Sequence, residues 1–168
     1  MTQSERYTCA VLTISDKGSR GEREDTAGPL LQKILQENGF QPLAYTVVPD
    51  ESEVIQEMLC EWTDRQLIDL VVTAGGTGLS PRDITPEATR PLLDREVPGI
   101  AEAMRWASLQ KTPHAMLSRG IAGVRRLSLI INLPGSAKAA RENLEAVLPA
   151  LPHALYKLKG GEQDCASC

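Results

Sequence analysis

Residues 67–89 have the sequence LIDLVVTAGGTGLSPRDITPEAT, in which an apolar run leads through glycines into a helix start. The apolar run predicts a buried strand over residues 67–73, and Thr85 followed by Pro86 predicts a helix N-cap and first turn. Where a strand leads through glycines into a helix, α/β proteins often hold phosphate, because backbone N–H groups and the helix dipole face the anion. This stretch therefore predicts an α/β fold with an anion site at the end of the strand.

Asp83 lies inside the same loop and adds a metal to this prediction. A carboxylate repels bound phosphate unless a cation lies between them, so Asp83 indicates Mg²⁺. Neither standard phosphate motif is present, because residues 75–80 have no P-loop lysine and do not complete the dinucleotide-binding glycine pattern. Considered alone, the loop is explained equally well as a tight turn, so its function has to be judged from the rest of the chain.

The composition is typical of a folded single domain. The chain has 168 residues, 42% hydrophobic and 24% charged, and residues 1–160 are predicted to form the domain, with 161–168 as a flexible tail. A formal net charge of −4 and few aromatic residues argue against a nucleic-acid surface. No apolar run approaches the roughly 20 residues that cross a bilayer. The N-terminus has no signal-peptide pattern, so a cytoplasmic protein without membrane contact is expected.

The cysteines are expected to have no role in a reducing compartment beyond packing, with one alternative. Cys9 and Cys60 fall in a predicted strand and a predicted helix, where they are expected to be buried free thiols. Cys165 and Cys168 form a CxxC pair in the predicted tail. Two thiolates do not complete a zinc site, so a redox pair or an intersubunit metal clip remains the alternative to no function.

Strands and helices alternate along the predicted elements. Apolar runs predict strands over residues 7–14, 43–48, 67–73 and 127–132, and each is followed by a helical pattern. The third helix is predicted to run from Thr85 to about Val97 and to be broken at Pro98, with a further helix over 100–110; residues 112–123 have no clear period. This alternation predicts a three-layer α/β fold, a mostly parallel sheet with helices on both faces.

In such folds ligands bind at the C-terminal edge of the strands. The loops at that edge follow Ile14, Val48, Thr73 and Asn132, and each begins with polar or glycine residues. Because the carboxyl ends of parallel strands share one edge, these loops are expected to converge on a single site.

The chain resembles the molybdopterin adenylyltransferase family, the molybdenum-cofactor biosynthesis domain of small bacterial enzymes and of gephyrin. The resemblance covers residues 11–159 and is most specific in residues 75–89 and in IINLPGS at 130–136, with further likeness at 13–16 and 113–119. It implies that family's fold and its reaction, the transfer of AMP from MgATP to the terminal phosphate of molybdopterin with release of pyrophosphate. It also implies a homotrimer and, as a downstream partner, the enzyme that inserts molybdenum.

The resemblance further implies the site residues. Asp50 and Asp83 would be the catalytic carboxylates and the Mg²⁺ ligands, directly or through water. Nucleotide and pterin would contact a larger set: Ser15, Asp16, Gly75, Gly76, Thr77, Gly78, Arg82, Pro134, Gly135 and Ser136. The attacking phosphate oxygen is already ionised at neutral pH, so the site needs no strong general base. It needs in-line placement and neutralisation of charge on the phosphates.

Simpler roles stay open for single residues. Apart from the resemblance, Asp50 is favoured as an N-cap, Asp83 is explained as a turn residue and Arg82 as a solvated charge. His114 is expected to be structural, since the reaction gives it no task. The basic residues of the 15–25 loop are expected either to steer anions or to be solvated: Lys17, Arg20 and Arg23.

Two other functions are compatible with this fold. One is a catalytically silent paralogue that binds pterin or nucleotide, and the other is a scaffold module within a larger protein. A silent paralogue is expected to have lost its carboxylates, whereas this chain has both Asp50 and Asp83. The sequence therefore favours an active enzyme.

Overall fold

The structure, a computed structural model, describes residues 6–162. The Cys165–Cys168 pair and most of the predicted tail therefore lie outside the described residues. Within them, six strands form one sheet in the order β2-β1-β3-β6-β5-β4. The strands are Thr8–Ile14 (β1), Gln41–Val48 (β2), Leu70–Ala74 (β3), Arg95–Glu96 (β4), Ala122–Arg125 (β5) and Ser128–Leu133 (β6).

The sheet is parallel in its larger part. Strand β1 pairs in parallel with β2 and β3, and β3 pairs in parallel with β6, whereas β5 and β4 are antiparallel additions at one edge. Strands β3 and β6 are buried at every position, as expected for strands covered on both faces. This arrangement confirms the predicted mostly parallel sheet.

Helices cover both faces of the sheet, and each face has its own hydrophobic cluster. The helices are Asp16–Ser19 (α1), Ala27–Glu37 (α2), Ser52–Cys60 (α3), Thr85–Thr89 (α4), Pro98–Leu109 (α5), Ala137–Val147 (α6) and Leu151–Leu158 (α7). Helices α2, α5, α6 and α7 pack on one face, and α3 and α4 pack on the other. The predicted three-layer α/β architecture is therefore confirmed. Among residues 6–162, no helix combines the length and the apolar character that a membrane span requires.

The helix predicted from Thr85 to Val97 is wrong. Helix α4 ends at Thr89 and gives way to a 3₁₀ turn, Arg90–Leu92, followed by β4. Pro91 explains the end, because proline lacks an N–H and its ring clashes with the preceding helical turn. Pro98, predicted to break a helix, instead begins α5, where its missing N–H is not needed.

Thr85 is not the N-cap of α4, contrary to the sequence prediction. The cap position belongs to Ile84, and the buried Thr85 hydroxyl donates to the carbonyl of Gly75 at 2.8 Å. Residues 112–123, which have no period, form a 3₁₀ turn at Pro113–Leu117 and the beginning of β5. The segment after α6 contains Pro149 and Pro152 and continues as α7, a helix that was not predicted separately.

The two cysteines within the described residues are free thiols. Cys9 is fully buried in β1, and burial raises the pKa of its thiol to about 12. Cys60 is only partly buried, so the expectation of a buried thiol is wrong there.

Candidate functional site

A cavity of about 720 Å³ lies at the C-terminal edge of the parallel strands. The loops that follow β1, β2, β3 and β6 all contribute to its lining. Most of the predicted site residues line it: Ser15, Asp50, Gly75, Gly76, Thr77, Gly78, Asp83, Pro134, Gly135 and Ser136. The remaining two, Asp16 and Arg82, do not line it. The topology thus brings the predicted loops together, while the roles of their residues remain predictions.

The glycine loop after β3 is held in a conformation that only glycine adopts easily. Gly75 and Gly76 have φ angles of +112° and +66°, and a side chain at Gly75 would overlap the carbonyl oxygen of Ile14. The carbonyl groups of both glycines accept hydrogen bonds from Thr85. The loop therefore turns its carbonyl oxygens towards α4.

The N–H groups of the same loop are available to a ligand. Gly75 N donates to the Leu133 carbonyl at 3.1 Å, whereas the N–H groups of Gly76, Thr77 and Gly78 donate to no acceptor among residues 6–162. These three residues all line the cavity. Successive N–H groups without protein acceptors form a concave anion-binding surface, so this loop can hold a phosphate.

Asp16 and Arg82 connect two loops of the site. The Asp16 carboxylate accepts two hydrogen bonds from the Arg82 guanidinium, both at 2.9 Å, although the residues are far apart in sequence. These hydrogen bonds and the Arg82 charge hold the pKa of Asp16 below its usual range. The pair was predicted to bind nucleotide or pterin. In the structure the two side chains instead form hydrogen bonds with each other.

Asp50 is a buried carboxylate beside the glycine loop. It is 8% exposed, and its Oδ2 accepts a hydrogen bond from Asp16 N at 2.9 Å, while its own N–H donates to Asp16 Oδ1 at 3.0 Å. The N-cap position of α3 is Glu51, so the simpler role of Asp50 as that helix's cap is wrong. Burial raises the pKa of Asp50, and the charge of Arg82, which is paired with Asp16, does not offset this effect.

Asp83 combines a turn role with a place in the cavity. Its Oδ2 accepts a hydrogen bond from Ser80 N at 2.9 Å, and a side chain at Gly78 would come within 2.9 Å of the same oxygen. Asp83 also acts electrostatically on Asp50, and both carboxylates line the cavity. The structure therefore shows the turn contact of Asp83, and its role towards a metal remains a prediction.

The two carboxylates fit a magnesium ion only if a substrate supplies further ligands. Within the described residues, no group of three or more His, Cys, Asp and Glu side chains is arranged to hold a metal. Mg²⁺ in phosphoryl-transfer sites is commonly held by one or two carboxylates together with phosphate oxygens and water. Asp50, a buried acid with a raised pKa, is the kind of group that a cation stabilises. The donor set of Asp50 and Asp83 is thus suited to Mg²⁺ bound with nucleotide.

Arg119 fixes the glycine loop and was assigned no role from the sequence. Its Nε donates to the Gly78 carbonyl at 2.8 Å, its Nη2 to the Asp83 carbonyl at 2.6 Å, and its backbone N to the Thr77 carbonyl at 2.9 Å. The guanidinium also pairs with Glu87 on α4. One side chain therefore holds both ends of the segment that carries Asp83.

We expect Arg119→Lys to lower turnover about 10-fold and the free energy of unfolding by about 1–3 kcal/mol, because lysine cannot make the two carbonyl contacts together. The matched control is Arg90→Lys, which changes an exposed arginine paired with Glu96. Initial rates and chemical denaturation of both variants test this expectation. An Arg119→Lys rate within about twofold of the control would show that turnover does not depend on the contacts of Arg119 with the glycine loop.

The loop between β1 and α2 also lines the cavity, and sequence reasoning left its role open. Asp25 accepts hydrogen bonds from the backbone of Ala27 and Gly28 and from the Tyr45 hydroxyl, the last at 2.6 Å. Burial favours the neutral acid, but the hydrogen bonds from the Tyr45 hydroxyl and from the Gly28 and Ala27 backbone outweigh it and lower the pKa of Asp25. This acid fastens the loop that presents Arg23 to the cavity.

His114 and Ser118 also line the cavity. They belong to residues 113–119, a stretch that contributes to the family resemblance but was given no role in the site. His114, expected to be structural, thus lies in the cavity wall, and its role remains a prediction.

Comparison with known proteins identifies relatives along most of the chain. Residues 10–153 match the family described as probable molybdopterin binding domain. The chain is 47% identical over 152 residues to the molybdopterin adenylyltransferase of Helicobacter pylori, covering 89% of this chain and 86% of that protein. It is 49% identical over 163 residues to gephyrin of Dictyostelium discoideum, covering 91% of this chain but 23% of gephyrin.

Solved structures give the same picture. The molybdopterin biosynthesis enzyme MoaB from Thermus thermophilus is 58% identical, with a TM-score of 0.88, and the match covers 92% of this chain and 97% of that one. The molybdopterin biosynthesis Mog protein from Mycobacterium ulcerans is 39% identical, with a TM-score of 0.85, covering 90% and 99%. The similarity to these two structures therefore extends over at least 90% of the chain.

Proposed function

The chain belongs to the probable molybdopterin binding domain family, and we propose that it transfers AMP from ATP to the terminal phosphate of molybdopterin and releases pyrophosphate. The family predicted from the sequence is confirmed by the match over residues 10–153. The small relative from Helicobacter pylori, most of whose length the chain covers, is named for this activity. The observation that carries the proposal is one cavity in which the unpaired N–H groups of Gly76, Thr77 and Gly78 lie with Asp50 and Asp83.

The reaction requires one bond to form and one to break at the α-phosphorus of ATP. An ionised phosphate oxygen of molybdopterin attacks that phosphorus, and the bond to the bridging oxygen breaks, so that pyrophosphate leaves with the electron pair. The N–H groups of Gly76, Thr77 and Gly78 bind phosphate oxygens and hold them for in-line attack. Arg119 keeps this loop and Asp83 in a fixed relation, through its contacts with Gly78 and Asp83.

Asp50 and Asp83 are the residues that would hold Mg²⁺. When bound, the ion supplies neutralisation of charge on the phosphates. Asp50 is positioned for this by the backbone of Asp16, which fixes one of its oxygens, and its other oxygen lies beside Gly76. Asp83 is positioned by Ser80 N.

Incubation of the purified protein with molybdopterin and ATP labelled in the α-phosphate tests the function directly. We expect adenylylated pterin and pyrophosphate to appear in equal amounts, and only when a divalent cation is present. Binding of ATP and pterin without transfer would instead identify a silent paralogue. Failure to bind either ligand would reject the whole assignment.

Assembly into a homotrimer remains a prediction from the resemblance, and an apolar surface supports it. Trp106 on α5 is 68% exposed, and Met116 in the neighbouring 3₁₀ turn is 62% exposed. Large apolar side chains exposed close together mark an interaction surface. Sedimentation equilibrium at micromolar concentration is expected to give three times the chain mass, and Trp106→Glu is expected to shift the mass towards the monomer. A monomer mass for the unaltered protein would contradict the prediction.

A cytoplasmic location and delivery of the product to a molybdenum-insertion enzyme also remain predictions. The product is an activated pterin, and its use requires a second active site that consumes it. Pull-down with the adenylylated pterin present and absent would test whether delivery involves a stable complex.

A further inference from the structure

The cavity carries an excess of negative charge. Among its described lining residues, the acidic side chains are Glu24, Asp25, Asp50 and Asp83, whereas Arg23 is the one lysine or arginine side chain. The substrates of the proposed reaction bring further negative charge on their phosphates. A positively charged group of the protein that faces the cavity therefore has a specific task to perform.

The other arginines near the site are occupied by protein partners. Arg82 donates both of its contacts to the Asp16 carboxylate. Arg119 donates to the carbonyl groups of Gly78 and Asp83 and pairs with Glu87. Recruiting either guanidinium to a ligand would require these contacts to break, whereas the guanidinium of Arg23 lines the cavity and has donors to spare.

Arg23 is held in place by one hydrogen bond, and its other N–H donors remain available. Its Nη2 donates to the Ser15 hydroxyl oxygen at 3.1 Å, and the same oxygen accepts from Gly18 N at 3.1 Å. A guanidinium has five N–H donors. The remaining donors of Arg23 contact no acceptor within residues 6–162. Ser15 directly follows β1 and lines the cavity, so the contact holds the guanidinium at the cavity edge.

We propose that Arg23 is a phosphate-binding residue of the cavity, contacting a phosphate group of a substrate through the N–H groups that Ser15 leaves unused. The inference takes the phosphate substrates from the proposed function. Arginine suits this task, because its planar fork matches two phosphate oxygens at once. The phosphate belongs either to the nucleotide or to the pterin, and the chemistry of recognition is the same for both.

The matched variants are Arg23→Gln and Arg20→Gln. Arg20 is on the same loop and carries the same charge, but it pairs with Glu22 and does not line the cavity. We expect Arg23→Gln to weaken binding of the phosphate ligand about 10-fold or more. Arg20→Gln is expected to leave this affinity unchanged. Arg23→Lys should recover part of the loss, since it restores charge without the fork.

Three ligands are measured by calorimetry and, for the substrates, by KM: inorganic pyrophosphate, ATP and molybdopterin. A loss with pyrophosphate and ATP assigns Arg23 to the triphosphate, and a loss with molybdopterin alone assigns it to the pterin phosphate. Pyrophosphate binding needs no turnover, so a loss there in a protein without transferase activity would sustain this proposal while rejecting the proposed function. Equal affinities of Arg23→Gln and Arg20→Gln for all three ligands would overturn it, as would a wild-type protein that binds none of them.

Discussion

Asp83→Asn is expected to lower adenylylation by about 10²–10³-fold while leaving the melting temperature close to that of the wild type. Asparagine keeps an oxygen that can accept from Ser80 N, so the turn contact at 2.9 Å survives with a loss of about 1 kcal/mol or less. A neutral amide is a poor Mg²⁺ ligand, so the proposed metal-binding role should be lost. The variant thus separates the turn role that the structure shows from the metal-binding role that we propose.

Asp94→Asn is the control for this substitution. Asp94 also accepts a hydrogen bond from a backbone N–H, that of Arg126 at 2.6 Å, but it lies outside the cavity lining. Its turnover is expected to equal that of the wild type. Isothermal titration with MgATP, beside rates and melting curves, completes the test. Turnover of Asp83→Asn near the wild-type value would reject the metal role, and a collapse of its melting temperature would make the turn role the dominant one.

The parallel core of the fold could be predicted because its strands are short, continuous apolar runs. Strands β3 and β6 are buried on both faces, so they lack the alternation of apolar and polar residues that half-buried strands show. The continuous apolar runs that result can be recognised in the sequence. The antiparallel edge could not be predicted. Strand β4 has two exposed residues, and β5 contains Gly123, where a side chain would overlap Leu93 and come within 2.8 Å of the Arg95 carbonyl. Gly123 is required because β5 packs against the segment that contains Leu93 and Arg95. Local sequence patterns give no sign of that packing.

The convergence of the loops on one cavity was predictable, because these loops follow parallel strands. Asp50 and Gly75 follow β2 and β3, and a shared sheet edge brings such loops together without further information. Long-range pairing was not predictable. Arg82 reaches Asp16 across 66 residues, and Arg119 reaches the Gly78 carbonyl across 41, so nothing in their neighbourhoods indicates the partner. Arg82 was therefore predicted as a ligand contact, and Arg119 was assigned no role.

Asp50→Asn is expected to lower turnover by the same factor as Asp83→Asn while maintaining or raising the melting temperature at neutral pH. The amide oxygen that this substitution introduces can still accept from Asp16 N, so the contact at 2.9 Å is retained. The substitution removes a buried negative charge that forms no ion pair with any of the described residues. Removing such a charge relieves the folded protein of an unfavourable interaction.

The pH dependence of this gain follows from the direction of the Asp50 pKa shift, upward from its ordinary value of 3.8. Because the folded pKa is higher than the unfolded one, the ionised carboxylate destabilises the folded state at neutral pH. That effect weakens as the pH falls through the folded pKa and is absent below the unfolded pKa. The melting temperatures of Asp50→Asn and the wild type, measured in metal-free buffer, should therefore differ most near pH 7 and converge towards about pH 4.

Asp69→Asn is expected to change stability in the opposite direction. It therefore serves as the control for the sign of the stability change in Asp50→Asn. Asp69 is similarly buried, but its carboxylate pairs with Lys159 at 2.7 Å and accepts from Thr8 N at 2.8 Å. Neutralising it should lower the free energy of unfolding by about 1–3 kcal/mol without affecting turnover at permissive temperature. The two substitutions are chemically identical. The protein should therefore lose stability when the paired carboxylate of Asp69 is replaced, and should not when the unpaired carboxylate of Asp50 is replaced. A fall in melting temperature for both variants would mean that the Asp50 carboxylate is a structural group, and its place in the catalytic site would have to be given up.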